Sequence, residues 1–163
     1  MDKSLVVVDH KHGDEVRYYL LETVRQYARE KLVESREDYS ARERHLEYFV
    51  NLAEDNQFRR RSAEQKLAYQ QMQIEFDNFR AALDWSLDEE NNATVANGLQ
   101  LAIAIDWEDA SEEGLKWLQK GAALIPRGIP EFDLLRANAM TNTTPMLINR
   151  SEFKSASFPR LRS

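Results

Sequence analysis

The stretch from Ser4 to Leu32 reads SLVVVDHKHGDEVRYYLLETVRQYAREKL, and a change of period inside it decides the fold. Val6 and Val8 alternate with Val7, HKHGDE supplies a charged turn centred on Gly13, and Val16, Tyr18 and Leu20 share one face of a return strand. From Glu22 the spacing becomes helical. Val24, Tyr27, Ala28, Lys31 and Leu32 fall on one side, with Glu22 near the start and Arg29 and Lys31 near the end, where the helix dipole favours them. A hairpin running straight into a helix is the expected N-terminal unit.

That string, with RYYLLETVRQYAREKL as its core, resembles the end of the winged-helix domain in bacterial signal-transduction ATPases of the STAND class. Two further strings, ARERHLEYFVNLAED (Ala41 to Asp55) and EFDNFRAALDWSLD (Glu75 to Asp88), resemble the helical linker that joins winged helix to repeats in the same family. The resemblance covers roughly the first half of the chain. It implies a transcriptional regulator with an NB-ARC-type nucleotide module, a winged helix and a C-terminal tetratricopeptide (TPR) array. In such a protein this segment would couple a sensory array to the ATPase.

Two parts of that family plan have no counterpart in the sequence. Winged helices place three helices, including the groove-reading one, before the hairpin, and here the hairpin comes first. The five glycines, Gly13, Gly98, Gly114, Gly121 and Gly128, form no GxxxxGK[ST] loop that could aim backbone N–H groups and a Lys at phosphates. The chain therefore reads as a fragment or truncated relative of a larger regulator, with no cofactor expected.

Beyond Leu32, VESREDYSARE lacks apolar periodicity and reads as a connection, with Ser40 as N-cap and Glu43 completing a capping box. A helix of about fourteen residues is expected next, turning Leu46, Phe49, Val50 and Ala53 inward. Ser62 is expected to cap a long helix ending near Leu87. On it Tyr69, Met72, Phe76, Phe79 and Leu83 form one stripe and Leu67, Ile74, Ala81 and Trp85 a second. Two stripes predict a spine with neighbours on both sides. Asn92 or Thr94 starts another helix, whose LQLAIAI run from Leu99 to Ile105 is apolar almost all round and should be buried. Ser111 to Ile125 follows with Leu115, Leu118, Ala122 and Ile125 inward and Pro126 as its stop. Phe132 to Met140 is helical again, and Pro145 is expected to end that pattern by disfavouring helix at Thr144. Pro159 weakens the last stretch further.

The second half of the chain carries a repeat-like spacing. Gly114, Leu118, Gly121 and Pro126 reproduce the small, large, small and Pro spacing of a TPR unit's second helix, and Leu101, Ala102 and Ile105 suit its first. Gly98 stands where the unit usually has Trp. Phe153 and Ala156 match part of a second, incomplete unit. Plain antiparallel helices remain the other reading. The expected fold is mainly α: residues 1–35 as winged-helix hairpin and helix, 36–91 as helical linker, and 92–163 as TPR-like helical hairpins, the last one incomplete.

Composition narrows the function classes. The 163 residues are 42% apolar and 31% charged, enough for a core beneath amphipathic helices. No run approaches the roughly 20 apolar residues of a membrane span, and charge throughout residues 1–20 argues against a signal peptide. A cytoplasmic location without membrane contact is therefore expected, and zero cysteines, which remove disulfides, thiolate catalysis and Cys-based zinc sites, fit a reducing compartment. Residues 63–129 carry 5 Lys/Arg against 12 Asp/Glu, a local −7 beside −6 for the whole chain. Such a surface repels phosphate backbones, which makes DNA an unexpected partner for this segment.

No constellation for chemistry converges. His10 and His12, flanked by Asp9 and Asp14, could reach one metal but lack a third and fourth ligand, and a solvated turn explains them. His45 reads as a packing or boundary residue. The carboxylates of Asp88-Glu89-Glu90 and Asp106-Trp107-Glu108-Asp109 read as solvated charge, and Trp85, Trp107 and Trp117 as core. No catalytic, cofactor or metal residue is nominated, and the chain is not expected to be an enzyme. Partner binding is the remaining role. Arg59, Arg60 and Arg61 read as a solvated linker or a site for an acidic partner. Gln100 would face a groove if the first helices of TPR-like pairs line one. The partner would be a protein or peptide, or the ATPase domain of the parent regulator; the alternative is a DNA-binding winged-helix regulator acting through the hairpin.

Overall fold

A computed structural model describes residues 5–9, 17–107 and 111–156. The chain is mainly α-helical, with an N-terminal two-stranded antiparallel hairpin followed by helices, as the sequence predicts. It divides into two compact units, Met1–Ala41 and Arg42–Ser163.

In the first unit β1 (Val6–Asp9) pairs with β2 (Arg17–Leu20), with Val6 opposite Leu20 and Val8 opposite Tyr18. Directly opposed residues share a face, so Val6 and Val8 lie on one side with Leu20 and Tyr18, and the alternation within each strand is as the sequence predicts. The hairpin turn, including His10, His12, Gly13 and Val16, lies outside the described residues. Helix α1 (Glu22–Ser35) buries none of its side chains, and Tyr18, Tyr27 and Val33 are exposed.

The connection after α1 is far shorter than the sequence suggests. Arg36 takes a left-handed backbone with φ 61°, its N–H donating to the Val33 carbonyl at 3.1 Å while the Glu37 N–H donates to Leu32 at 2.9 Å. This pair of bonds is a Schellman closure, and it lets α2 (Asp38–Arg59) begin two residues later. Ser40 is thus inside α2 and not its cap. Its hydroxyl donates to the Glu37 carbonyl at 3.2 Å. Nothing in the sequence marks the closure, because a left-handed residue is usually Gly or Asn, not Arg.

The second unit holds the core. Leu46, Phe49, Val50 and Ala53 of α2 are buried as expected, joined by Asn56. In α3 (Gln65–Ser86) the buried set is Ala68, Met72, Phe79, Ala82, Leu83 and Ser86. Of the first expected stripe Met72, Phe79 and Leu83 are therefore inside, while Phe76 is half-buried and Tyr69 exposed. Leu67 and Ala81 of the second are exposed, and Ile74 and Trp85 are half-buried. Small residues explain the shift: Ala68, Ala82 and Ser86 let neighbours approach closely, so the contact arc moves to their side.

Asn91, one residue earlier than expected, caps α4 (Asn92–Ala104) by accepting the Ala93 N–H at 2.9 Å. The Leu99, Leu101, Ala102 and Ala104 side chains are all buried. Helix α5 (Ser111–Leu124) packs Leu115 and Leu118 inward, and Ile125 closes it before Pro126. A Cβ on Gly121 would stand 2.9 Å from Leu99 Cδ1, so that glycine sets how closely α5 approaches α4.

Helix α6 (Pro130–Ala156) corrects the sequence reading most. It runs through Pro145 without ending. Proline removes one ladder N–H, a loss of about 3 kcal/mol in a helix interior. The preceding Thr141, Asn142, Thr143 and Thr144 side chains bond back to the Ala137, Asn138, Met140 and Met140 carbonyls, none of which is the Thr141 carbonyl that the missing N–H would have met. Of the residues in α6 whose side chains are described, none beyond Ala139 is buried, and Met140 and Leu147 are exposed. The side chains of Ile148 and Phe153, and all of Phe158 and Pro159, lie outside the described residues.

Candidate interaction surface

Among the described residues no group of His and carboxylates could hold a metal ion, and no helix is long and apolar enough to cross a membrane. The polar side chains that the sequence singles out sit where helix ends meet. Arg59, the last residue of α2, donates from Nε to Glu64 at 2.9 Å and from Nη1 to Gln71 at 3.1 Å. Arg60 pairs with Asp106, just past α4, with both side chains about three-quarters covered. Arg61 is exposed. The triple-Arg run is thus divided, two members clasping neighbouring segments and one facing water.

Gln100 donates from Nε2 to Glu54 at 2.5 Å, tying α4 to α2. One turn along α2, Gln57 donates to the Ile103 and Ala104 carbonyls at 3.3 Å each. Trp107 donates from Nε1 to the Ala102 carbonyl at 2.7 Å. These three carbonyls are among the four that a helix C-terminus leaves without partners, so Gln57 and Trp107 finish α4 from outside. Arg136 does the same for α5, donating to the Ala122, Ile125 and Pro126 carbonyls at 3.0, 2.6 and 3.0 Å. Sequence reasoning missed Glu54, Gln57 and Arg136, whose partners are set by tertiary packing.

A second polar joint links α3 to α5. Arg80 donates to both Glu113 oxygens, at 2.7 and 2.8 Å, and its guanidinium lies 4.6 Å from the Phe76 ring centre. The bonds from Arg80 hold the Glu113 carboxyl below the usual carboxylate range and raise the guanidinium's own value. The pair is partly open to solvent, so its contribution is modest.

His45 sits half-buried against Phe49, ring centres 4.7 Å apart. Burial, and then the Arg42 charge, lower its pKa, with Glu75 opposing. The unfolded chain therefore binds a proton more readily than the folded one. His45's contribution is fully present above about pH 6.5 and is lost as pH falls through that value toward the lower folded one. Urea unfolding at pH 7 and pH 5 should show a smaller acid-induced loss in His45→Gln than in the native protein. Equal losses would contradict a neutral, packed His45.

Against known proteins, the chain is 41% identical over 122 residues to a protein of Mycobacterium bovis named "Putative HTH-type transcriptional regulator", and to its namesakes in two Mycobacterium tuberculosis strains. The match takes in 72% of this chain and 13% of each relative. The chain is similar to a small part of much longer proteins. No protein-family model and no solved structure matches it.

Proposed function

We propose that this chain is a non-catalytic protein-interaction and signal-coupling segment of a transcriptional regulator, of the STAND type that the hairpin and linker strings resemble. The observation that carries the reading is the 41% identity over 122 residues to proteins named as HTH-type regulators. A helical unit whose helices are tied to one another by side-chain clasps suits a relay between domains, and TPR-like packing of α4, α5 and α6 would extend it as an array. Cytoplasmic location follows from the same reading.

A chimera tests it. When this chain's matching residues replace those of the Mycobacterium tuberculosis relative, that protein's transcriptional output should be retained, while deletion of the segment should abolish its response. A chimera as inactive as the deletion, though folded and expressed, would overturn the proposal.

DNA binding through the hairpin is the competing reading, and the relatives' HTH designation is what favours it. The acidic stretch 63–129 opposes it. Mobility shifts of this chain at physiological salt should show nothing tighter than the roughly 10⁻⁴ to 10⁻⁶ M of non-specific contact. A sequence-selective nanomolar complex would establish the competitor.

A further inference from the structure

The turn from α2 into α3 is a basic island on an acidic chain. Between Phe58 and Tyr69 stand Arg59, Arg60, Arg61 and Lys66 against Glu64 alone, within a net charge of −6. Arg59 and Arg60 are occupied by Glu64, Gln71 and Asp106. Arg61 and Lys66 are exposed. Two large apolar side chains flank them in the open, Phe58 at 76% exposure and Leu67 at 60%. A cleft of about 280 Å³ lined by Arg60, Gln65, Lys66, Tyr69 and Asp106 adjoins the same turn.

We propose that this turn is the docking site for an acidic amphipathic segment of a protein partner, whose carboxylates meet Arg61 and Lys66 and whose apolar side chains cover Phe58 and Leu67. Charge complementarity selects the occupant, because the turn is cationic while the helices that follow it repel anions. Arg beside an exposed aromatic is also the composition of binding hot spots. Phe58 and Leu67 still have hydration to lose on binding, whereas the clasped Arg59 and Arg60 keep the turn's shape beforehand, which lowers the ordering cost. The inference rests on the protein-interaction reading above and names its surface and partner chemistry.

Fluorescence anisotropy of the full chain with a labelled synthetic peptide alternating Asp/Glu with Leu/Phe tests it. Saturable micromolar binding that weakens with salt is expected. Arg61→Glu with Lys66→Glu should weaken it about tenfold or more, and Phe58→Ala or Leu67→Ala about fivefold. The exposed Arg127→Glu change, outside the turn, should leave it intact. A peptide with Lys in place of the acids should prefer the charge-reversed variant. Absence of saturation, or equal loss in Arg127→Glu, would overturn the proposal. So would capture by phosphatidylserine vesicles that the charge reversal abolishes while the peptide fails to bind, or self-association abolished by the same variants. The chimera's transcriptional readout is separate: peptide failure with an active chimera removes only the docking site, and an inactive chimera with intact peptide binding removes only the parent reading.

Discussion

Phe79→Ala should lower the unfolding free energy by about 3–5 kcal/mol, the range for emptying an aromatic site in a core that cannot collapse to fill it. Phe79 is 1% exposed and meets Phe49 edge-on, ring centres 5.3 Å apart at 80°. Phe49 in turn touches the His45 and Tyr48 rings, so the cavity would open in the middle of an aromatic cluster joining α2 to α3. Phe76, one turn away on the same sequence stripe, is only partly buried. Its ring packs edge-on against Trp107 at 5.7 Å and carries the Arg80 guanidinium on the other contact. Phe76→Ala should cost less, about 1–2 kcal/mol. Urea titrations followed by tryptophan emission suit the comparison, because Trp85, Trp107 and Trp117 all lie in the second unit. A midpoint shift without a change in slope is the expected signature. Equal costs at the two positions would show that α3 buries a different face.

Why one stripe could be read and its boundaries could not is a matter of which forces are local. The hairpin and the helix after it were legible because alternation at Val6, Val7 and Val8 gives way to helical spacing at Glu22, and each signal is carried by adjacent residues. The burial of α4 was legible because LQLAIAI is apolar on every side but that of Gln100, leaving little choice of face. The second stripe of α3 failed for the opposite reason. Leu67 and Trp85 have the right spacing for a buried face, but whether a partner covers that face depends on Ala68, Ala82 and Ser86 drawing the neighbours elsewhere. Two boundaries differ through unusual chemistry at single residues, a left-handed Arg36 and a proline carried inside a helix.

The candidate surface was legible in part. The charge of Arg59, Arg60 and Arg61 could be counted, but their division into two clasped and one exposed member depends on Glu64 and on Asp106, the latter 46 positions from Arg60. Analogy with repeat proteins puts Gln100 on a groove, whereas in the structure it bonds to Glu54, equally distant in sequence. No local pattern marks such pairs. The exposed Phe58 and Leu67 were invisible for the same reason as the failed stripe, since a sequence gives spacing and not coverage.

The glycines matched to a repeat pattern acquire a physical meaning that makes the last prediction sharp. A Cβ on Gly114 would lie 2.3, 2.5 and 2.7 Å from Cγ, Cδ2 and Cβ of Trp107, closer than real atoms pack. The indole cannot easily yield. It is 4% exposed, donates from Nε1 to the Ala102 carbonyl at 2.7 Å, and is met edge-on by Phe76. In an unconstrained helix Gly→Ala would gain about 1 kcal/mol of propensity. Here overpacking should exceed that gain, leaving Gly114→Ala destabilised by about 1–2 kcal/mol and Gly114→Val, with two further methyls, by more than about 3 kcal/mol. Displacing Trp107 would also release the Ala102 carbonyl at the end of α4, so emission should shift to the red with the loss of stability. A second change, Trp107→Leu, should relieve the clash and make the pair less destabilised than the two single costs added together. Gly128→Ala provides the contrast: its backbone has φ 80° and nothing stands near a new Cβ. Its cost of about 1–2 kcal/mol is backbone strain, which Trp107→Leu cannot rescue. Additive costs in the Gly114 and Trp107 pair would mean that the glycine is needed for something other than the close approach of α5 to the indole.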